Sequence, residues 1–172
     1  MNVCCICVVG KSNNPLYLRV FQTLEEEPAL KFHYIAHTAL DIIEEKVASR
    51  KNTTNSADTN LGLLFPTEVY KIYGFITSSK TKIILIGDET EVKDSEVKNF
   101  FQKLHKILVD SLSNPFYEYN QQIESPHFEQ QVQGLVDNFS SNKSLQKKPS
   151  GFKTRNNQSM GSMAFLPTNA NI

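Results

Sequence analysis

The sequence predicts an α/β domain of the α+β type: a five-stranded antiparallel sheet with one helix on one face and two on the other, in the order β-β-α-β-β-β-α-α. Three observations predict it. Five short runs of β-favouring residues are joined mainly by turns, and strands joined by short turns pair antiparallel. Only one link between strands, through Leu30 to Val47, has the periodicity of a helix. The first run, Val3 to Val9 (VCCICVV), is apolar at every position, the pattern of a strand covered on both faces, so helices are needed on both sides of the sheet.

Each element follows in order. After Val3 to Val9, the stretch GKSNN from Gly10 to Asn14 is turn chemistry, and Leu16, Leu18 and Val20 alternate with Tyr17, Arg19 and Phe21 as the returning strand of a hairpin. Thr23 to Pro28 (TLEEEP) is a loop. In LKFHYIAHTALDIIEEKV, the residues Phe32, Ile35, Ala36, Ala39, Ile43 and Val47 form one helical stripe that Leu40 widens. His33, His37, Asp41, Glu44 and Glu45 lie off that stripe and form a polar, acid-bearing outer face. Ser49 to Asn60 is a polar exposed connection.

Leu61 to Phe65, Val69 to Thr77 and Thr81 to Ile86 are three further strands, and Gly62 and Pro66 make the first of them an edge. Val97, Phe100, Phe101, Leu104, Leu108 and Leu112 mark a second amphipathic helix, with Asp94 or Ser95 as its N-cap and Asn114-Pro115 as its stop. An aromatic connector, NPFYEYNQQIESP, leads to a third helix capped by Ser125 and opened by Pro126, with Phe128, Val132, Leu135, Val136 and Phe139 as its stripe. The domain is therefore expected over 1–139. Residues 140–172 are rich in Ser, Asn, Lys, Gln, Pro and Gly and read as a basic, disordered tail, in which Met163 to Leu166 (MAFL) is a candidate docking segment.

Composition narrows the function classes. A chain of 172 residues, 40% hydrophobic and 21% charged, holds one domain with one sizeable core. Eighteen basic and eighteen acidic residues cancel, which removes the broad positive field that non-specific nucleic-acid binding requires. The imbalance is local: beyond Ser140 there are basic residues and no Asp or Glu. Cys4, Cys5 and Cys7 are the only cysteines, not the spread framework of a disulfide scaffold, so a reduced, cytoplasmic protein is expected. No signal or transmembrane segment is expected, since the opening apolar run falls far short of the roughly 20 residues a span needs. Asn2 also excludes an N-myristoyl anchor.

Candidate chemistry is sparse. Gly10-Lys11-Ser12 echoes the end of a phosphate-binding loop, but Cys5 stands where the motif needs its first glycine and a strand follows where a helix should, so a hairpin turn is expected. The three cysteines lack a fourth ligand for zinc, and neighbouring strand residues should point to opposite faces. His33, His37 and Asp41 share i, i+4, i+8 spacing, but HYIAH lacks the Glu of the zinc-protease motif; His105 and His127 match no metal pattern. With no nucleophile elbow and no flagged acid–base pair, no catalytic residue, cofactor or metal is assigned. The aromatic residues Tyr70 and Tyr73 on a strand, and Tyr117 and Tyr119 in the connector, are expected to be exposed or half-exposed and to serve with the polar face of the first helix as partner contacts. Phe116 is expected to pack onto the sheet.

Together, the strings LKFHYIAHTALDIIEEKV, LGLLFPTEVYKIYGF, FFQKLHKILVD and NPFYEYNQQIESPHF resemble the sedlin family of subunits of the TRAPP vesicle-tethering complexes, over about Val3 to Phe139. The resemblance implies the longin, or SNARE-like, form of the predicted fold. It also implies a non-catalytic adaptor that packs against other TRAPP subunits in a hetero-oligomer. The assembly would tether vesicles and act as a Rab-type GTPase exchange factor in ER-to-Golgi and Golgi transport. The subunit would be cytoplasmic, peripheral at endoplasmic reticulum and Golgi membranes, and perinuclear, with the GTPase and the membrane as indirect partners and with no nucleic acid or small-molecule substrate. The Asp of the family's H-T-x-L-D string is functionally sensitive, and Asp41 matches it. A free-standing longin-type regulator that binds a SNARE or small GTPase directly is the alternative, and a small metal or nucleotide enzyme a third class.

Overall fold

A computed structural model describes residues 1–21, 29–50, 59–118 and 120–144 of the protein. The expectations for Thr23 to Pro28, for most of the polar connection (51–58), for Tyr119 and for the tail from 145 onward lie outside the described residues. The elements are β1 (Val3–Val9), β2 (Pro15–Val20), α1 (Ala29–Arg50), β3 (Asn60–Pro66), β4 (Tyr70–Ile76), β5 (Lys82–Asp88), α2 (Asp94–Leu112) and α3 (Pro126–Ser144). The five strands form one sheet in the order β2-β1-β5-β4-β3, every pair antiparallel. This is the expected longin-like α/β arrangement.

The strand order sets the path of α1. The chain leaves the sheet at the β2 edge and re-enters at the β3 edge, so the connection must cross a whole face. α1 does so with Phe32, Ala39 and Ile43 fully buried and Ile35, Ala36 and Leu40 nearly so, which matches the predicted stripe except that Val47 is half-buried. Beneath it lie Tyr70 and Ile72 of β4, Ile84 and Ile86 of β5, and the three cysteines. On the opposite face, Val3, Ile6, Val8, Tyr73, Phe75, Ile83 and Leu85 meet Val97, Phe100, Phe101, Leu104 and Leu108 of α2 and Phe128, Val132 and Val136 of α3. Phe75 stacks on Phe101 at 5.4 Å between ring centroids, and Tyr17 meets Phe128 edge-on at 5.0 Å.

Three local details differ from the sequence-based expectation. Strand β1 carries a bulge: Val3 pairs with Gly87 and Cys5 with Ile86, which leaves Cys4 as the extra residue. Cys4, Cys5 and Cys7 consequently all belong to the core on the α1 side, so the alternation expected of Cys4 and Cys5 does not hold. Burial pushes the Cys7 thiol up to about 12 and raises Cys5 further, with the neighbouring thiols adding to it. These groups are therefore protonated packing material at neutral pH.

At α2 the N-cap is Lys93, in an extended conformation and with no side-chain cap bond, while Asp94 is the first helical residue. Asp94 and Glu96 act through charge on the helix dipole instead of capping. At α3 the expected cap is present, Ser125 Oγ accepting from the Phe128 N–H at 3.4 Å, and the helix continues past Phe139 to Ser144. Among the described residues no helix is long and apolar enough to cross a membrane.

Burial of α1 gives a direct test. Ile43→Ala removes a fully buried side chain and is expected to destabilise the protein by about 2–5 kcal/mol in urea unfolding followed by circular dichroism. Glu45→Ala, on the exposed side of the same helix, should change stability by no more than about 0.5 kcal/mol.

Candidate interaction surface

With its apolar stripe turned into the sheet, α1 presents its other side to solvent, and that side has two halves. In the first turns Leu30 and Tyr34 are 75% and 74% exposed, one helical turn apart. With His33, His37 and the flank of Lys31 they form a shallow, mostly apolar concavity. The Tyr34 carbonyl is occupied by the Thr38 hydroxyl at 3.2 Å, but its ring is open to water. Farther along lie the exposed acids Asp41, Glu44 and Glu45.

Those acids are not equivalent. Glu44 is turned onto the end of the sheet: its Oε1 accepts from Asn13 Nδ2 at 2.9 Å and from the Lys82 ammonium at 3.2 Å. Lys82 Nζ also donates to Asn13 Oδ1. The Lys82 side chain is almost wholly buried, so Glu44 acts as counter-ion to a cation that would otherwise be stranded. Asn13 reaches this position from a left-handed backbone (φ 62°) in a turn closed by Gly10 N–H to Asn14 O at 2.8 Å. The GKS stretch is thus part of a hairpin turn whose tip fastens α1. Glu44 stays on the exposed outer face as expected, with one carboxylate oxygen committed to Asn13 and Lys82. Asp41, by contrast, has no hydrogen-bond or ion-pair partner among the described residues.

Sequence reasoning misplaced several aromatic residues. Tyr70 and Tyr73 are 1% and 4% exposed, on opposite faces of β4, so neither is the exposed partner contact expected. Tyr70 meets Phe32 at 5.6 Å, with the Lys31 ammonium 5.4 Å from its ring centroid. Tyr117 is half-buried against the α2/α3 core and donates from its hydroxyl to Gln121 O at 2.6 Å. Tyr119 lies outside the described residues. Phe116, expected to pack, is 91% exposed. Leu30 and Tyr34 were missed, although an apolar pair at i, i+4 lying off the core stripe is a signal the sequence contains.

The histidines are scattered. His33 and His37 are exposed on α1, His105 tilts against Phe75, and His127 pairs with Gln131 on the surface of α3. Among the described residues no group of three or more His, Cys, Asp or Glu side chains is arranged to hold a metal ion.

Hydrogen bonds from Asn13 and then Lys82 hold the Glu44 carboxyl below its ordinary value of 4.5. A depressed folded value means that the contribution of this group to stability is complete above 4.5 and disappears as pH falls through the folded value. The melting temperature of the wild type should therefore exceed that of Glu44→Gln at pH 7, and the two curves should converge in acid. Thermal melts of both proteins across that range check this.

Comparison with known proteins agrees with this architecture. The family model described as Sedlin matches residues 8–138. A trafficking protein particle complex subunit 2-like protein of Dictyostelium discoideum is 46% identical over 136 residues, covering 78% of this chain and 96% of that protein. Its Mus musculus counterpart of the same name is 41% identical over 135 residues, covering 77% and 95%. A probable trafficking protein particle complex subunit 2 of Drosophila melanogaster is 30% identical over 127 residues, covering 71% and 86%. On the extent of these matches, the chain belongs to the sedlin family.

Proposed function

We propose that the protein is a non-catalytic assembly subunit of a trafficking protein particle (TRAPP) complex, joined to its neighbours through the outer face of α1. The names of its relatives support membership of such a complex. One observation carries the choice of surface: Leu30 and Tyr34 stand in water on the same helix as Asp41, which has no partner among the described residues, while the helix's other side is committed to the sheet. Large apolar area next to polar groups is the usual make-up of an interface core and rim. Tyr34 supplies rigid contact area with a polar tip, while His33, His37, Asp41 and Glu45 supply the rim. In this reading the protein itself carries no chemistry. It works in the cytoplasm, peripherally at ER and Golgi membranes, within an assembly that tethers vesicles and promotes exchange on a Rab-type GTPase.

The test is a mild native pull-down of the tagged full chain, sized by gel filtration and identified by mass spectrometry. The expected result is a large particle containing other TRAPP subunits. Tyr34→Ala and Asp41→Tyr should each weaken co-assembly roughly tenfold or more, with stability unchanged within about 0.5 kcal/mol. If Asp41→Tyr unfolds the isolated protein, Asp41 is structural and the footprint is wrong. Recovery of the wild type alone, or with a single SNARE or small GTPase, would instead favour the free-standing regulator.

A further inference from the structure

Among the described residues the largest exposed apolar side chain outside α1 is Phe116, and its setting is built. Helix α2 stops at Leu112; Ser113 keeps its N–H on Val109 O at 2.9 Å, and Asn114 N–H reaches Ser111 O at 3.3 Å. Pro115 supplies no N–H and fixes its own φ, so the chain must turn. It turns tightly: Tyr117 N–H donates to Asn114 O at 2.9 Å and Phe116 N–H donates to Asn114 Oδ1 at 3.0 Å. The far side is anchored by the Tyr117 ring against the α2/α3 core and by its hydroxyl on Gln121 O. Tyr117 thus does what an aromatic residue in a connector normally does, and Phe116, one position earlier, is aimed away from the protein.

We propose that Asn114–Tyr117 is a docking turn, read as Asn-Pro-Phe by a folded adaptor domain whose apolar pocket takes the Phe116 ring. Three features define the partner. Its pocket is phenyl-sized, because Phe116, 91% exposed, is the largest apolar side chain the turn leaves in water. It offers an acceptor to the Asn114 amide nitrogen, since the amide oxygen is already committed inside the turn and the nitrogen donates to none of the described residues. Its rim is neutral or basic, because Glu118 and Glu124 line the groove beside the turn. The backbone bonds hold the turn in shape before binding, which removes an ordering cost that a linear peptide would bear. The turn lies on the α2/α3 side of the sheet and the face proposed for subunit contacts on the α1 side, so both can be occupied together.

The experiment measures binding of the purified full chain, by fluorescence anisotropy or calorimetry, to an isolated adaptor domain that binds Asn-Pro-Phe peptides. Saturable binding, displaced by a free Asn-Pro-Phe peptide, weakened roughly tenfold or more by Phe116→Ala and retained by Asp41→Tyr, is the expected result. Phe116 touches no core, so its alanine variant should melt with the wild type, and Asn114→Ala should weaken binding as well. Absence of saturable binding, or equal binding by Phe116→Ala, overturns the proposal. So does loss of Phe116→Ala from the native complex, which would make the turn a contact between subunits.

Discussion

Strands β1 and β5 have no face left for water, and most other features follow from that. Both lie inside the sheet, and every residue of each is buried. An apolar strand of this kind is stable only if both faces of the sheet are covered, since each large side chain left uncovered would forgo about 1.5–3 kcal/mol of burial. One layer therefore cannot suffice. α1 covers one face and α2 with α3 the other, and the polypeptide between β2 and β3 must cross from edge to edge to place α1 there. A helix held across a sheet in this way has a fixed outer surface, which is where its chemistry becomes available to other molecules.

The Asn13, Lys82 and Glu44 cluster sharpens that surface. It joins the β1–β2 turn, the start of β5 and the middle of α1 through one buried ammonium. Breaking such a pair is costly chiefly because it leaves a buried charge uncompensated. The consequence for the outer face is a division of labour along a single helix. Glu44 serves the protein's own cohesion, and Asp41, three residues earlier, has no internal partner among the described residues. Two acids that look alike in sequence therefore differ in what they are free to meet.

The sheet, the helices and the core stripe were legible because each depends on periodicity, which is local. Phe32 to Ile43 reads as a helix face whatever lies opposite it. The errors lie where a long-range or single-residue event decides. A bulge at Cys4 shifts one thiol without altering the apolar run around it. Tyr70 and Tyr73 carry polar tips that suit either a surface or a core, and only the placement of β4 between β5 and β3, beneath helices on both faces, decides for the core. Lys82 looks like an exposed strand-end lysine until Asn13 and Glu44 are brought to it from 69 and 38 positions away. Phe116 and Tyr117 are neighbours of similar hydrophobicity, and the turn that follows the end of α2 at Leu112, with Pro115 in it, sends them in opposite directions.

The exposed apolar features at Leu30 with Tyr34 and at Phe116 differ in kind, and the difference bears on how each would be used. Leu30 and Tyr34 stand on a rigid helix beside histidines and acids, so a partner lying along α1 could cover a continuous surface. Extended coverage with a desolvated centre is what lowers dissociation rates and sustains a lasting complex. Phe116 stands alone on a turn. One ring in one pocket, with a few polar bonds from the turn, yields a small interface, and small interfaces are characteristic of transient encounters. A subunit that is built in through α1 and presents Phe116 on the opposite side would hold its place in an assembly while taking and releasing a second partner. The sheet between them keeps the two events apart, because neither surface shares a side chain with the other.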